Sequence, residues 1–177
     1  MRAVVQRVLS ASVTVDGEMV SEISRGLMVL VGIGVDDNVS DIETLAKKIL
    51  TLKAFARSAG DMWKANVKEI QGEILCVSQF TLMANTSKGS KPDFHRAMSA
   101  DQSRAMYDLF LQYMGAQYAP EKIKDGRFGA MMNVSLTNEG PVTFTLDSRK
   151  FEYVVPPIAT QLQVRAGGKL AKSTDGA

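Results

Sequence analysis

The chain has 177 residues, of which 45% are hydrophobic and 23% charged, and its formal net charge is +2. That length suits one domain with its own core and is short for two, and so small a charge leaves any affinity for nucleic acid to local clusters of Lys and Arg. A single cysteine excludes an internal disulfide, and a single histidine leaves too few ligands for a structural Cys/His zinc site.

The opening run, MRAVVQRVLSASVTV, is punctuated by Arg2, Gln6 and Arg7, so it reads as neither a signal peptide nor a membrane span, and a reducing cytoplasm is the expected setting. Residues 2–9 read as a strand. SVTV and EMVSEI then flank Asp16-Gly17, the strongest short hairpin signal. GLMVLVGI, 26–33, is an almost unbroken apolar run, suited to a strand buried on both faces. Ser40 and Glu43 have capping-box spacing, and Ile42, Leu45, Ala46, Ile49 and Leu52 follow at helical period, which predicts a helix over 41–56.

ILCVSQF is a second buried strand, and its Cys76 reads as an inert, buried thiol rather than a nucleophile. Ser99 and Gln102 repeat the capping-box spacing ahead of Met106, Leu109, Phe110 and Tyr113, a second helix reaching about 116. MMNVSLT and VTFTL both alternate, and Asn138-Glu139-Gly140 between them predicts a final hairpin. Pro141 lacks the N–H that a strand interior uses, so it is placed at the hairpin tip. Strands outnumber helices and the hairpins argue for antiparallel pairing, so the class is α+β with a mainly antiparallel sheet. Beyond about 150 the periodicity fades: VVPPIATQLQ reads as an extended arm and AGGKLAKSTDGA as a mobile tail.

Several segments bear on chemistry. GIG at 32–34 is too short for a dinucleotide or phosphate loop and reads as a turn. Ser78 with His95 as base is the one nucleophile–base pairing available, but no G-x-S-x-G elbow surrounds Ser78, and His95 reads rather as a surface loop residue beside Phe94. KGSKPDFHR carries Lys88, Lys91 and Arg96, and KIKDGR carries Lys122, Lys124 and Arg127. Each cluster is either a solvated loop or a holder of phosphate backbone. SQFTL, 78–82, is either a strand changing faces as it leaves the core or a strand end whose N–H groups and hydroxyls face a cleft.

SQFTL and NEGPVT (138–143), with MRAVVQRV, KGSKPDF and GRFGAMM (126–132) in the same order, resemble the D-aminoacyl-tRNA deacylase family. The resemblance spans about residues 1–147, RSAGDMWKANVKEI (57–70) is closer to eukaryotic members than to bacterial ones, and nothing from 148 onward takes part in it. It implies a barrel-like roll with two principal helices over 1–150, a C-terminal extension over 151–177, and a homodimer that needs neither cofactor nor metal. The implied reaction is hydrolysis of the ester between a D-amino acid and the terminal adenosine of tRNA, with glycine on tRNA also removed. Backbone N–H groups of Phe80 and Thr81 would stabilise the oxyanion, and Ser78 and Gln79 would shape the pocket floor. The 2′-hydroxyl of the terminal ribose would assist the water, with Thr81 as nucleophile the rival mechanism.

The resemblance further implies that the Gly140-Pro141 peptide is cis and that each subunit's Gly-Pro enters its partner's site, excluding L-amino acids. Phe128 and Met132 would line the adenine pocket, although Met132 also reads as a core residue. Arg7 would brace the partner's Gly-Pro loop, although it also reads as a surface arginine. Lys88, Lys91 and Arg96 are the candidates for the tRNA backbone. A non-catalytic RNA-binding module of the same fold and a Ser78/His95 esterase are the competing functions.

Overall fold

The computed structural model describes residues 1–87 and 89–149; Lys88 and the expected extension over 151–177 lie outside the described residues. One strand organises everything else. β1 (Arg2–Val15) runs unbroken through both segments that the sequence separates as 2–9 and SVTV. Along one edge its first half pairs antiparallel with β3 (Gly26–Gly32), and its second half pairs with β2 (Glu18–Ile23). The β1–β2 turn is the expected hairpin, with Asp16 at φ 52° and Gly17 at φ 84°, the left-handed pair that an Asp-Gly turn supplies. Along the other edge β1 pairs with β6 (Asn133–Asp147) over its whole length.

The remaining pairings are parallel: β3 with β4 (Glu73–Ser78), and β4 with the short β5 (Ile123–Asp125). Each follows a helical crossover, α1 (Val39–Thr51) between β3 and β4, and α2 (Ala100–Gln117) between β4 and β5. The class is α+β as expected, with a mixed sheet that rolls towards closure where the Ser21 hydroxyl of β2 donates to the Asp125 carbonyl of β5 at 2.6 Å. KIKDGR is therefore no simple loop, because Ile123–Asp125 forms the edge strand.

Alternation on the unbroken apolar strands fills two cores. Leu27, Val29 and Val31 of β3 and Ile74 and Cys76 of β4 pack against Ile42, Leu45 and Ile49 of α1 and Tyr107, Phe110 and Met114 of α2. Met28, Leu75 and Val77 face inward against Val8, Val13 and Ile23. Cys76 is fully buried, and burial pushes its thiol well above the usual range, so it is no nucleophile.

The start of α1 differs from the sequence expectation, whereas α2 begins after Ser99 as expected but without its side-chain cap bond. α1 begins two residues earlier, with Asn38 as cap: its side chain accepts the Ser40 N–H at 2.9 Å, and Asp41 returns to the Asn38 N–H at 3.0 Å. α1 ends at Thr51 rather than 56, because Ala54 and Phe55 are drawn into tertiary bonds: the Ala54 carbonyl accepts from Arg7 and Phe55 N–H pairs with Ala65. At α2, Ser99 and Gln102 bond only to each other's side chains, and the buried stripe is Tyr107, Phe110 and Met114, leaving Leu109 exposed.

The end of β6 is tied to α1 by ions. The Met1 ammonium donates to Asp37 Oδ1 at 2.6 Å and Ser148 Oγ at 2.7 Å, and Arg149 reaches Asp36, Asp37 and Asp41. Burial acts to raise the Asp41 carboxyl, but hydrogen bonds from Ser148, Arg149 and the Asn38 N–H outweigh it and hold it at about 2. A depressed carboxylate stabilises the fold above its unfolded value near 3.8 and loses that contribution as pH falls towards about 2. Asp41→Asn is therefore expected to lower the urea midpoint at neutral pH, with the gap from the parent closing as the pH falls towards 2, measured by urea titrations across that range.

Candidate active site

β3, β4 and β5 run parallel, so the segments leaving Gly32, Ser78 and Asp125 emerge at one end of the sheet. Such ends are where ligand sites form in parallel sheets. Here they enclose a cavity of about 610 Å³ whose walls include Ile33, Ser78–Phe80 and Phe128–Met132, with Ala97 and Met98 opposite. The lining is mostly apolar, as small-molecule sites are.

Ser78, Gln79 and Ser103 are the polar residues of its lining, and Thr81 lies one residue beyond Phe80 at its edge. Gln79 N–H makes the last ladder-like bond, to the Val31 carbonyl at 2.7 Å, and Leu82 N–H closes the first turn of a short 3₁₀ segment, Phe80–Met83, onto the Gln79 carbonyl at 3.2 Å. Phe80 and Thr81 fall between these bonds, and among the described residues neither N–H has an acceptor. The opening of a helical turn leaves its first donors unpaired, so the strand-to-turn switch itself creates this pair. The Gln79 amide donates to the Thr81 hydroxyl, fixing both side chains beside them.

Phe128 is held at the opposite wall, 4.6 Å beneath the Arg104 guanidinium and 5.7 Å from the Tyr107 ring. Tyr107 is itself anchored, its hydroxyl donating to Asp125 Oδ1 at 2.6 Å. Burial raises both the Asp125 carboxyl and the Tyr107 hydroxyl, the latter strongly. Met132 lines the cavity and also packs on the inner core, where its reading as a core residue places it.

His95 does not meet Ser78. It faces a separate cavity with Met1 and Arg2, is exposed, and pairs with Asp93. The Ser78/His95 pairing is thus corrected, and the surface-loop expectation for His95 stands. Lys91 and Arg96 are exposed on the same loop. Among the described residues no group of three or more His, Cys, Asp or Glu is placed to hold a metal, and no helix is long and apolar enough to cross a membrane.

NEGPVT gives the largest departure from expectation. Its two flanking segments do not fold back on each other; both lie along β1, Asn133–Asn138 against its second half and Thr143–Asp147 against its first. Glu139, Gly140, Pro141 and Val142 bulge out opposite Arg7, so the predicted hairpin is a wide interruption within one strand. Asn138 spans the gap, its amide donating to the Arg7 carbonyl at 2.8 Å and the Val142 carbonyl at 3.1 Å. Gly140 sits at φ 123°, and a Cβ there would come within 2.8 Å of Val142 Cγ2. The Gly140-Pro141 peptide is cis, and both residues are exposed and outside their own chain's cavity.

Arg7 is buried rather than on the surface. One nitrogen donates to the Ala54 carbonyl at 2.6 Å, and Nε lies 3.1 Å from Glu139 without hydrogen-bond alignment. Arg25 holds the other side of the Glu139 carboxylate, at 3.1 Å. Arg7 thus braces the loop of its own chain. Sequence reading missed Asn138, Glu139 and Arg25 as the supports of this loop, and the signal available was an Asn-Glu pair set against an inward-facing arginine.

The family model described as D-Tyr-tRNA(Tyr) deacylase matches residues 4–147. The chain belongs to this family. Among curated relatives, D-aminoacyl-tRNA deacylase of Saccharomyces cerevisiae is 52% identical over 148 residues, covering 84% of this chain and 99% of that protein. D-aminoacyl-tRNA deacylase 1 of Homo sapiens is 51% identical, covering 84% and 70%. Of solved structures, the c-Myc DNA Unwinding Element Binding Protein is 50% identical with a TM-score of 0.81, covering 83% of this chain and 98% of that one. A probable eukaryotic D-amino acid tRNA deacylase shares the fold at 20% identity and a TM-score of 0.70, covering 82% and 98%. The family match takes in SQFTL, GRFGAMM and the whole of β6, the parts that build the cavity and the bulge.

Asn138→Ala removes the group that serves two half-enclosed carbonyls. It is expected to cost about 1–3 kcal/mol, read as a lowered urea midpoint with an unchanged slope.

Proposed function

We propose that this chain hydrolyses the ester joining a D-amino acid to the terminal adenosine of tRNA, and by the same geometry clears glycine mischarged on tRNA. The observation that carries this reading is the pair of Phe80 and Thr81 N–H groups, without acceptors, at the edge of an apolar cavity of about 610 Å³. Ester hydrolysis passes through a tetrahedral oxyanion, and two adjacent fixed donors without acceptors of their own suit that charge. Loss of a single such donor in other enzymes costs about 10²–10³ in rate. Ser78 and Gln79 shape the floor beside them.

Phe128 and Met132 take the terminal adenine, and Lys91 and Arg96 meet the tRNA backbone. The ribose 2′-hydroxyl of the substrate assists the attacking water. This setting is the cytoplasm, where charged tRNA is used.

Selection of hand works by exclusion. D and L amino acids carry the same groups, so attraction separates them poorly, whereas a wall on one side of the α-carbon rejects one hand by clash. In this reading the wall is Gly140-Pro141 of a second copy in a homodimer. Support comes from the loop's exposure, its absence from its own cavity, and its support by Asn138, Arg7 and Glu139. Glycine has no side chain to clash and passes the same wall.

Single-turnover assays are expected to show release of D-tyrosine from tRNA with L-tyrosyl-tRNA spared; release of neither would favour the non-catalytic RNA-binding module. Thr81→Ala keeps the backbone donor, so its loss should fall well short of the 10²–10³ that a missing donor costs. A loss of several orders of magnitude with binding intact would make Thr81 the nucleophile. His95→Ala is expected to leave the chemical step intact.

A further inference from the structure

Phe80 and Phe94 form an exposed aromatic pair at the cavity's edge, 57% and 37% accessible, with ring centroids 5.0 Å apart in edge-to-face contact. Phe80 lines the cavity, whereas Phe94 stands beyond it. The loop that presents Phe94 is closed at its base. Asn85 and Asp93 exchange backbone bonds of 2.8 and 3.0 Å, and Ala97 N–H donates to the Phe94 carbonyl at 2.9 Å. Aromatic area held rigid and uncovered marks a surface that meets a partner.

Charge narrows what that partner is. Lys91 and Arg96 flank Phe94 and are both exposed. Asp93, the carboxylate between them, is engaged by the His95 ring and N–H. Arg96 faces the adjoining cavity with Arg2 and Arg149, which are paired with Asp147 and with Asp36 and Asp37, while Arg96 itself has no carboxylate within ion-pair distance among the described residues. Its backbone is pinned, the carbonyl accepting from Val35 N–H at 3.0 Å. A purely apolar partner would cover the ring and leave these cations unmet. An unpaired nucleotide satisfies both, since its base stacks on the ring and its phosphate meets the guanidinium.

We propose that Phe94, seated on Phe80 and flanked by Arg96, is the stacking platform for the nucleotide immediately 5′ of the aminoacylated adenosine, with Arg96 as its phosphate partner. This rests on the deacylase reading above and extends the site by one nucleotide. Phe80 then has two parts, a backbone donor at the cavity's edge and a ring that supports the platform.

The test compares three substrates: D-tyrosine esterified to adenosine alone, to the trinucleotide CCA, and to full-length tRNA. Stacking is worth about 1–3 kcal/mol per base, so Phe94→Ala is expected to shrink the kcat/KM advantage of the trinucleotide over the adenosine ester by about 5- to 140-fold, and Phe94→Trp to restore it. Arg96→Ala is expected to flatten the log–log salt dependence on the trinucleotide by about 0.7, the value of one single-strand phosphate contact. Equal losses on adenosine and trinucleotide esters would overturn the proposal, because Phe94 would then act only by propping Phe80. An unchanged trinucleotide advantage would overturn it too. Silence of the parent protein on all three substrates would instead overturn the deacylase reading, and the platform with it.

Discussion

At Arg7 the β1–β6 ladder carries one residue on one side and four on the other. β1 is bonded along both edges, so an interruption there cannot relax by letting one strand drift away. The surplus has to leave the sheet, and it leaves as Glu139–Val142. What keeps that excursion from being a floppy loop is polar accounting at its root. Asn138 serves the carbonyls that lost their ladder partners, and Glu139 is held between Arg7 and Arg25. Arg7 is buried, and an unpaired buried charge is costly, so the bulge and the arginine hold each other in place.

The same strand fixes the cavity at the far end of β3. Pairing with β1 sets where β3 ends, and parallel pairing sets β4 beside it, with Val31 opposite Ser78. Two helical crossovers return β4 and β5 in the same sense as β3, so three chain exits converge at one end. The 33–37 turn is joined to the far wall by Val35 N–H to the Arg96 carbonyl and Met98 N–H to the Ile33 carbonyl, both at 3.0 Å. A cavity forms there because the sheet's topology leaves no element to fill it.

How much of this was legible from the residues follows a physical line. The unbroken apolar runs at GLMVLVG and EILCVS correctly announced strands buried on both faces, and that two-sided burial is the mark of the parallel pairs. Asp16-Gly17 announced its hairpin because turn chemistry is local. NEGPVT carried the same kind of local signal and misled, because whether two alternating segments fold back or continue along a third strand is decided by β1, more than a hundred residues away in sequence. The end of α1 failed for the same reason: helical period continues past Thr51, but Ala54 and Phe55 have tertiary partners that a helix would deny them. The cap moved to Asn38 because Asp41, not Glu43, could return the bond. Ser78 and His95 shared a plausible chemistry and turned out to line different cavities.

The candidate site itself shows why a search for reactive side chains along this sequence returns so little. The donors proposed for it are main-chain N–H groups, which every residue but proline carries and no motif of side chains reveals. Their availability follows from one local event, the end of β4. Gln79 spends its N–H on Val31, the next bond made is from Leu82 back to Gln79, and the two residues between are left with donors that the 3₁₀ turn cannot use. Such groups do not titrate and cannot rotate away, and they are held by the sheet on one side and the turn on the other. A site built from them exchanges chemical versatility for fixed aim. That is the property the proposed reaction would use, with the substrate bringing its own hydroxyl and the protein holding a charge and a hand in place.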